Sequence, residues 1–388
     1  MTLRLTIAQL DRAGGVLLGM ACGDGLGAGY EFGPPLGPEV PVTMSGGGHF
    51  GWAPGGWTDD TSMAIAIAEV TAAGLDLLSP QAQDRIAARW SGWAKEAKDV
   101  GNQTRSVLAA AGRAAAERGQ DEPPAEDVAD AAQAHHDGAG KSGGNGSLMR
   151  TAPVALALLD DPEGLVRAAY EISALTHTDP EAGEACALWC VAIRHAVLYG
   201  SLDGVWDGLD HLPGDRSAVW SKRLVDAEAG VPAGFTRNVW VVEAFQGAWS
   251  AITTSRAAAG SESPPAEHFR TGLEAAVRGG SDTDTVAAIA GALLGGTYGA
   301  SAVPAHWRRL LHGWPGLRAR DLVSLAVMTA RGGQADPEGW PTAARVDYST
   351  FPDCATLAQH PHDPGVWLGG VDALDNLSCT DPRSATTP

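Results

Sequence analysis

Two short stretches carry more hard oxygen donors than a helix start requires. WTDDT at 57–61 and SDTDT at 281–285 each crowd aspartates and threonines onto the start of an apolar, alanine-rich run. Ser, Thr and Asp are the favoured N-caps, and acids in a first turn complement the helix dipole. One cap per helix suffices, and capping is the plainest reading of either cluster alone. It does not account for Thr58, Asp59 and Asp60 together, or for Asp282, Asp284 and Thr285. Carboxylates packed this closely repel, so either one holds a proton or a cation sits among them. Four carboxylates with hydroxyl oxygens suit Mg²⁺, Mn²⁺ or Ca²⁺ better than zinc. Their charge is enough for two divalent ions, and a pair about 3.5–4 Å apart can orient a substrate and activate a water.

The two stretches also resemble each other. GGWTDDTSMAIAIA (55–68) and GGSDTDTVAAIAGA (279–292) share two glycines, an Asp/Thr cluster and an apolar helical run. Asp60 aligns with Asp284 and Thr61 with Thr285, 224 residues further on. Two copies so far apart read as two halves of one site rather than a solenoid repeat. A third stretch, GGNGSLMR (143–150), brings backbone rather than side chains. Its glycines permit close approach, and N–H groups exposed in such a turn can cradle phosphates. Alone, a Gly-rich loop is more often a plain turn.

Helices must position these groups. Met63, Ile67 and Val70 share one face of 61–74; Val241, Phe245 and Trp249 share one of 240–252; Val286, Ile289 and Leu293 share one of 286–296. Further helices are expected over 81–98, 102–118, 164–175, 181–199, 219–229, 267–277 and 321–331. No segment sustains a period of two, so the fold class is all-α. The segments 121–144, acidic then Gly-rich, and 201–217, polar with Gly and Pro, read as surface loops. One helical domain over 1–345 with a loop-rich extension at 346–388 is the expected division.

A net charge of −19 argues against binding nucleic acid or anionic membrane through the general field. Five scattered cysteines include Cys186 and Cys190, four apart on an expected helix with no partner pair for zinc, so core thiols are expected. Arg4, Asp11 and Arg12 interrupt the apolar residues near the N-terminus, and no run is long enough to span a bilayer. A cytoplasmic monomer is the expectation.

With GMACGDGLGAGYEF (19–32), DVGNQT (99–104), GGNGSLMRTAPVAL (143–156) and YGASAVPAHWRRLLHG (298–313), the two acidic stretches resemble the ADP-ribosylglycohydrolase family, in order from about residue 11 to 330. The resemblance implies a compact all-α fold around a central cleft with two Mg²⁺ ions, or Mn²⁺. It implies hydrolysis of the glycosidic bond at the distal ribose C1″ of an ADP-ribosylated protein or small molecule, releasing ADP-ribose. Carried over by residue, the metal ligands are Thr58, Asp59, Asp60, Asp282, Asp284 and Thr285. Glu31 matches a glutamate near the metals, and Asp99 an aspartate at the substrate entrance. Glu31, Asp60 and Asp284 are the catalytic candidates, with Glu31 and Asp60 left as alternative proton carriers. Asn145, Gly146, Ser147 and Met149 are expected to contact ADP-ribose, with His177 either a contact or a hydrogen-bonded structural residue. Asp24 reads as structural, holding a Gly-rich turn; His135 and His136 have no assigned role; Trp57 could border the adenosine or the distal ribose. A crystallin-like or ADP-ribose-binding relative without catalysis, and a two-metal pyrophosphohydrolase, are the rival readings.

Overall fold

Thr6 opens the first helix with a reciprocal cap: its hydroxyl accepts from the Gln9 amide while the Gln9 side chain accepts from the Thr6 amide. The computed structural model describes residues 4–259 and 264–334. The expected extension 346–388, the expected domain end at 345, and Cys354 and Cys379 lie outside them. Fifteen α-helices form among the described residues. They are α1 (Ile7–Gly27), α2 (Asp59–Ala72), α3 (Pro80–Ala94), α4 (Asn102–Glu117), α5 (Ala125–Ala139), α6 (Ala152–Ala157), α7 (Pro162–Ala174) and α8 (Pro180–Tyr199). After them come α9 (Gly204–Asp207), α10 (Gly214–Ala229), α11 (Val241–Ala259), α12 (Pro265–Arg278), α13 (Thr283–Tyr298), α14 (Ala305–Leu310) and α15 (Ala319–Ala330). One antiparallel pair, β1 (His312–Gly313) with β2 (Leu317–Arg318), is the only sheet among the described residues. The all-α expectation holds.

The helices sort into inner and outer ones. Along α1, every residue from Ala13 to Gly27 is buried, and along α13 every residue from Thr283 to Thr297. A helix apolar all round belongs in the middle of a fold. By contrast α3, α4, α7, α10 and α12 bury one face each. The buried free thiols Cys22, Cys186 and Cys190 lie on inner helices, as core residues.

Glycine sets the spacing of the central pair. Gly15, Gly19, Gly23 and Gly27 fall four apart on one face of α1. A Cβ on Gly15 would sit 2.2 Å from the Gly295 carbonyl oxygen, one on Gly19 2.2 Å from that of Gly291, and one on Gly23 1.9 Å from that of Ala287. The two helices therefore run antiparallel in backbone contact, and the end of α1 meets the start of α13, where Thr283 donates to the Gly27 carbonyl (2.9 Å). This overturns the reading of Asp24 as part of a turn, since the glycine spacing makes a helix contact face and Asp24 sits on that helix.

Two expected loops are also corrected. Residues 121–144 contain α5: Glu126 and Asp127 occupy its first turn, Val128 and Ala132 bury one face, and Gly140 ends it at φ 64°. Segment 201–217 holds α9, a 3₁₀ turn at Gly208–His211 and the start of α10, anchored by buried Leu202, Val205 and Leu212. No helix among the described residues is long and apolar enough to cross a membrane.

Candidate active site

The N-termini of α2 and α13 converge on the C-terminal end of α1, bringing the two acidic stretches together as the sequence expected. Asp24, fully buried, accepts from the Thr58 amide (2.9 Å), the Thr61 amide (3.0 Å) and the Thr61 hydroxyl (2.6 Å). It thus supplies from α1 the cap that Thr58, at the N-cap position of α2, does not make with its own side chain. The Thr58 hydroxyl instead donates to Asp60 Oδ2 (3.0 Å). Asp282 holds the N-cap position of α13 without capping it. Its Oδ2 accepts from Asn145 Nδ2 (2.7 Å), and its carboxylate also takes a hydrogen bond from Thr285.

Two overlapping trios place one carboxylate oxygen each within 4.8 Å of one another: Asp24, Asp60 and Asp284, and Glu31, Asp282 and Asp284. Asp284 belongs to both. The first trio includes Asp24, which sequence reading had assigned to structure alone. Asp59 belongs to neither trio; it is buried beside the Gly101 amide, at 3.4 Å from Oδ2. Asp99 is half-buried just before α4, near Arg105 and His49.

Electrostatics of the acids follow from their burial. Desolvation, then mutual repulsion, pushes Asp59, Asp60 and Asp284 well above the usual carboxylate range. Desolvation with the charges of Asp99, Asp282, Asp59 and Asp24 raises Glu31 to about 9. Burial and Asp282 raise Asp99 to about 6, and burial raises Asp24 to about 6 despite its three donors. Glu31 Oε2, Asp60 Oδ1 and Asp284 Oδ1 are buried and make no hydrogen bond among the described residues. Buried acceptors left unpaired are costly, and a hard cation is the partner that an all-oxygen set fits.

Backbone strain sits beside both trios. Phe32 (φ 60°) and Ser281 (φ 62°) are the only non-glycine residues at positive φ among those described. Their segments pair, with Phe32 N on Ser281 O (2.7 Å) and Ser281 N on Gly33 O (2.8 Å). The pairing fixes Glu31 next to Asp282, and such residues persist only where surrounding structure imposes them.

The glycine loop meets the cluster at Asp282. Asn145 Nδ2 also donates to Asn238 O (2.8 Å), while Asn238 Oδ1 accepts from the Asp282 amide (3.1 Å) and its Nδ2 donates to Gly280 O (2.9 Å). Gly143, Gly144 and Gly146 remain half exposed. The side chains of Ser147 and Met149 are buried; Ser147 accepts from Ser173 (2.9 Å) and lies 3.5 Å from the Cys186 thiol. Their contribution is loop shape, leaving the glycine backbone as the open surface. His177 is buried, with Nδ1 on the Thr176 hydroxyl (2.7 Å) and its ring against Gly144 and Gly146. Burial and neighbouring Arg150 hold it neutral, with its pKa well below the usual value. Trp57 is buried against Gly313 and donates to Trp314 O (3.2 Å). His136 pairs with Ser142, and it and His135 stand half-buried on α5.

Sequence reading passed over two residues that hold the loop. Arg150, fully buried, donates to Gly146 O (2.9 Å) and the Thr176 hydroxyl (2.8 Å), with its guanidinium 4.0 Å from the Trp90 ring centre. Its presence in GGNGSLMR was the available signal. Asn238 had none, being 93 residues from Asn145.

Known proteins share this architecture. The family model described as ADP-ribosylglycohydrolase matches residues 5–337, and the chain belongs to that family. It is 30% identical over 309 residues to ADP-ribosylarginine hydrolase Tri1 of Pseudomonas putida (strain GB-1), covering 77% of this chain and 73% of that one. It is 28% identical over 304 residues to the ADP-ribosyl-[dinitrogen reductase] glycohydrolase of Rhodospirillum rubrum, covering 76% and 89% respectively. A solved structure, an ADP-ribosylglycohydrolase-related protein complex, superposes with a TM-score of 0.61 at 29% identity, over 85% of this chain and all of that one.

Proposed function

We propose that the protein hydrolyses the glycosidic bond at C1″ of the distal ribose in ADP-ribosylated substrates, using divalent cations held by the acid cluster. One observation carries this: in a member of the ADP-ribosylglycohydrolase family, Asp284 joins two overlapping carboxylate trios in which Glu31, Asp60 and Asp284 each keep one buried oxygen without a hydrogen-bond partner among the described residues. Two Mg²⁺ ions, or Mn²⁺, are the proposed occupants. Asp60, Asp282 and Asp284 would hold them with Asp59, Thr58 and Thr285, and Asp24 joins this set. When bound, the cations supply Lewis-acid polarisation of the ribose oxygens and a lowered pKa for water.

The chain's own groups do the rest. Backbone amides of Gly143, Gly144 and Gly146 receive the pyrophosphate, which a chain of net charge −19 cannot attract by its general field. Asn145 and Asn238 orient Asp282. Water adds to C1″ as the bond to the acceptor atom breaks, and that bond's electron pair leaves with the acceptor. Glu31 is the proposed proton carrier, because it alone in the two trios is only half-buried and can exchange a proton with solvent. Asp60, fully buried, serves as a ligand. The catalytic unit is proposed as residues 1–345, acting as a monomer in the cytoplasm, a reducing compartment that suits the buried free thiols Cys22, Cys186 and Cys190.

Mass analysis of products from arginine-, serine- and acetyl-linked ADP-ribose, with Mg²⁺ and with EDTA, tests this. Free ADP-ribose is expected with Mg²⁺ alone. Release of AMP would mean pyrophosphate cleavage, and no turnover would leave a binding protein.

A further inference from the structure

Outside the acid cluster, a buried chain of hydrogen bonds ends on the glycine loop. Thr176 is fully buried in the turn after α7, where its carbonyl accepts from Gln103 Nε2 of α4 (2.9 Å). Its hydroxyl has two neighbours, Arg150 Nη2 at 2.8 Å and His177 Nδ1 at 2.7 Å. The backbone of His177 is fixed as well: its amide donates to Ser173 O (2.8 Å) and its carbonyl accepts from the Ser173 hydroxyl (3.2 Å). The far edge of the ring lies against the loop, since a Cβ built on Gly146 would stand 3.1 Å from Nε2 and one on Gly144 3.4 Å. Nε2 makes no hydrogen bond among the described residues, and His177 is only 3% exposed.

We propose that Thr176 is a positioning residue: oriented by Arg150, it fixes His177 as the Nε2–H tautomer and so turns a neutral donor toward the ligand at the glycine loop. This rests on the reading above in which that loop receives the pyrophosphate. The direction of each bond follows from what the groups carry. A guanidinium has donors only, so Arg150 donates and Thr176 Oγ1 accepts. The hydroxyl proton then needs an acceptor, and among the described residues His177 Nδ1 is the one within reach. Were Nδ1 protonated instead, Oγ1 would accept twice and its own proton would be buried without a partner, which is costly. The proton of a neutral imidazole therefore sits on Nε2. Burial, then the charge of Arg150, keeps the ring neutral.

The tautomer matters because the ligand at this loop is an anion. Nε2–H offers a phosphate oxygen a hydrogen bond, whereas the other tautomer turns a lone pair toward it. Arg150 also donates to Gly146 O (2.9 Å), so one buried cation holds the loop and, through Thr176, the ring that faces it.

NMR of the protein carrying isotope-labelled histidine tests this, because each tautomer gives the two ring nitrogens a distinct pair of shifts. The His177 signals are picked out by their loss in His177→Gln. Wild type should show Nε2 protonated and Nδ1 bare, a reading that needs no substitution and so no folding control. Thr176→Val keeps the side-chain shape and removes the hydroxyl. With Mg²⁺ present it should lose the single tautomer and bind ADP-ribose about tenfold to a hundredfold more weakly by calorimetry, the range of one hydrogen bond to a charged group. Thr176→Ser, which returns the hydroxyl, should recover both the tautomer and the wild-type Kd. A wild type with Nδ1 protonated, or with both nitrogens protonated, overturns the proposal. So does a folded Thr176→Val protein that binds ADP-ribose as tightly as wild type, or a Thr176→Ser protein as weak as Thr176→Val. Nδ1–H with ADP-ribose still bound sinks the role of Thr176 and leaves the glycine-loop reading standing; a wild type that binds no ADP-ribose sinks both.

Discussion

Asn145 Nδ2 donates to Asp282 Oδ2 at 2.7 Å, joining the glycine loop to the second acidic stretch across 137 residues of sequence. A partner that orients a metal-binding carboxylate commonly carries 10- to 100-fold in metal affinity. Asn145→Ala should therefore bind Mg²⁺ at least about tenfold more weakly by calorimetry, with an unchanged helical circular dichroism spectrum. Equal affinity would mean that Asp282 is held by the Asn238 contact and its own backbone alone.

Asp284 stands in both carboxylate trios, so its removal should have opposite effects with and without metal. Asp284→Ala relieves repulsion among buried acids, and the EDTA-treated variant should melt above EDTA-treated wild type. Saturating Mg²⁺ at 100 Kd should stabilise the wild type by about 2.7 kcal/mol and the variant far less. ADP-ribose release by the variant should fall at least about 10³-fold, and activity within tenfold of wild type would sink the cation model.

In the cation-free protein, Glu31 at about 9 and Asp24 and Asp99 at about 6 all lie above the unfolded carboxyl value of about 4. Between roughly pH 4 and 9 the folded chain then binds more protons than the unfolded one, so these groups make stability fall as pH rises. The contribution is fully present below about pH 4 and is lost as pH climbs through 6 for Asp24 and Asp99 and through 9 for Glu31. Melting in EDTA should drop from pH 5 to 8.5, and Mg²⁺ should flatten or reverse that slope. A melting temperature that rises with pH in EDTA would show the acids to be ionised and compensated without metal.

The α1–α13 contact should tolerate no added methyl. Gly23→Ala forces a Cβ to 1.9 Å from a backbone oxygen, and overpacking of this kind costs about 1–3 kcal/mol. Gly138→Ala, on α5 with open space around it, should instead stabilise by about 0.5–1 kcal/mol. Chemical denaturation measures both, and equal effects would mean that the two central helices adjust freely.

Much of this was legible in the sequence because it is written in neighbouring residues. Helices such as 181–199, found at Pro180–Tyr199, follow from the spacing of their apolar positions. The Asp/Thr stretches were legible as halves of one site because each carries more oxygen donors than one helix start can use. What misled was local chemistry judged alone. The four-spaced glycines around Asp24 read as a turn until a second helix lay against them, and the acids of 121–144 read as a loop although Val128 and Ala132 bury one face of a helix.

By itself, then, the sequence determined ten of the fifteen helices, all but α1, α5, α6, α9 and α14, and the types of ligand atom, since period, caps and composition are properties of contiguous chain. Only the tertiary structure decided that Asp24 caps α2 from another helix, that Asn238 clamps Asp282, and that Trp52 and Trp314 wall one cavity. Those relations join residues 34, 44 and more than 250 positions apart. They depend on how elements distant in the chain pack against one another, which no local pattern encodes.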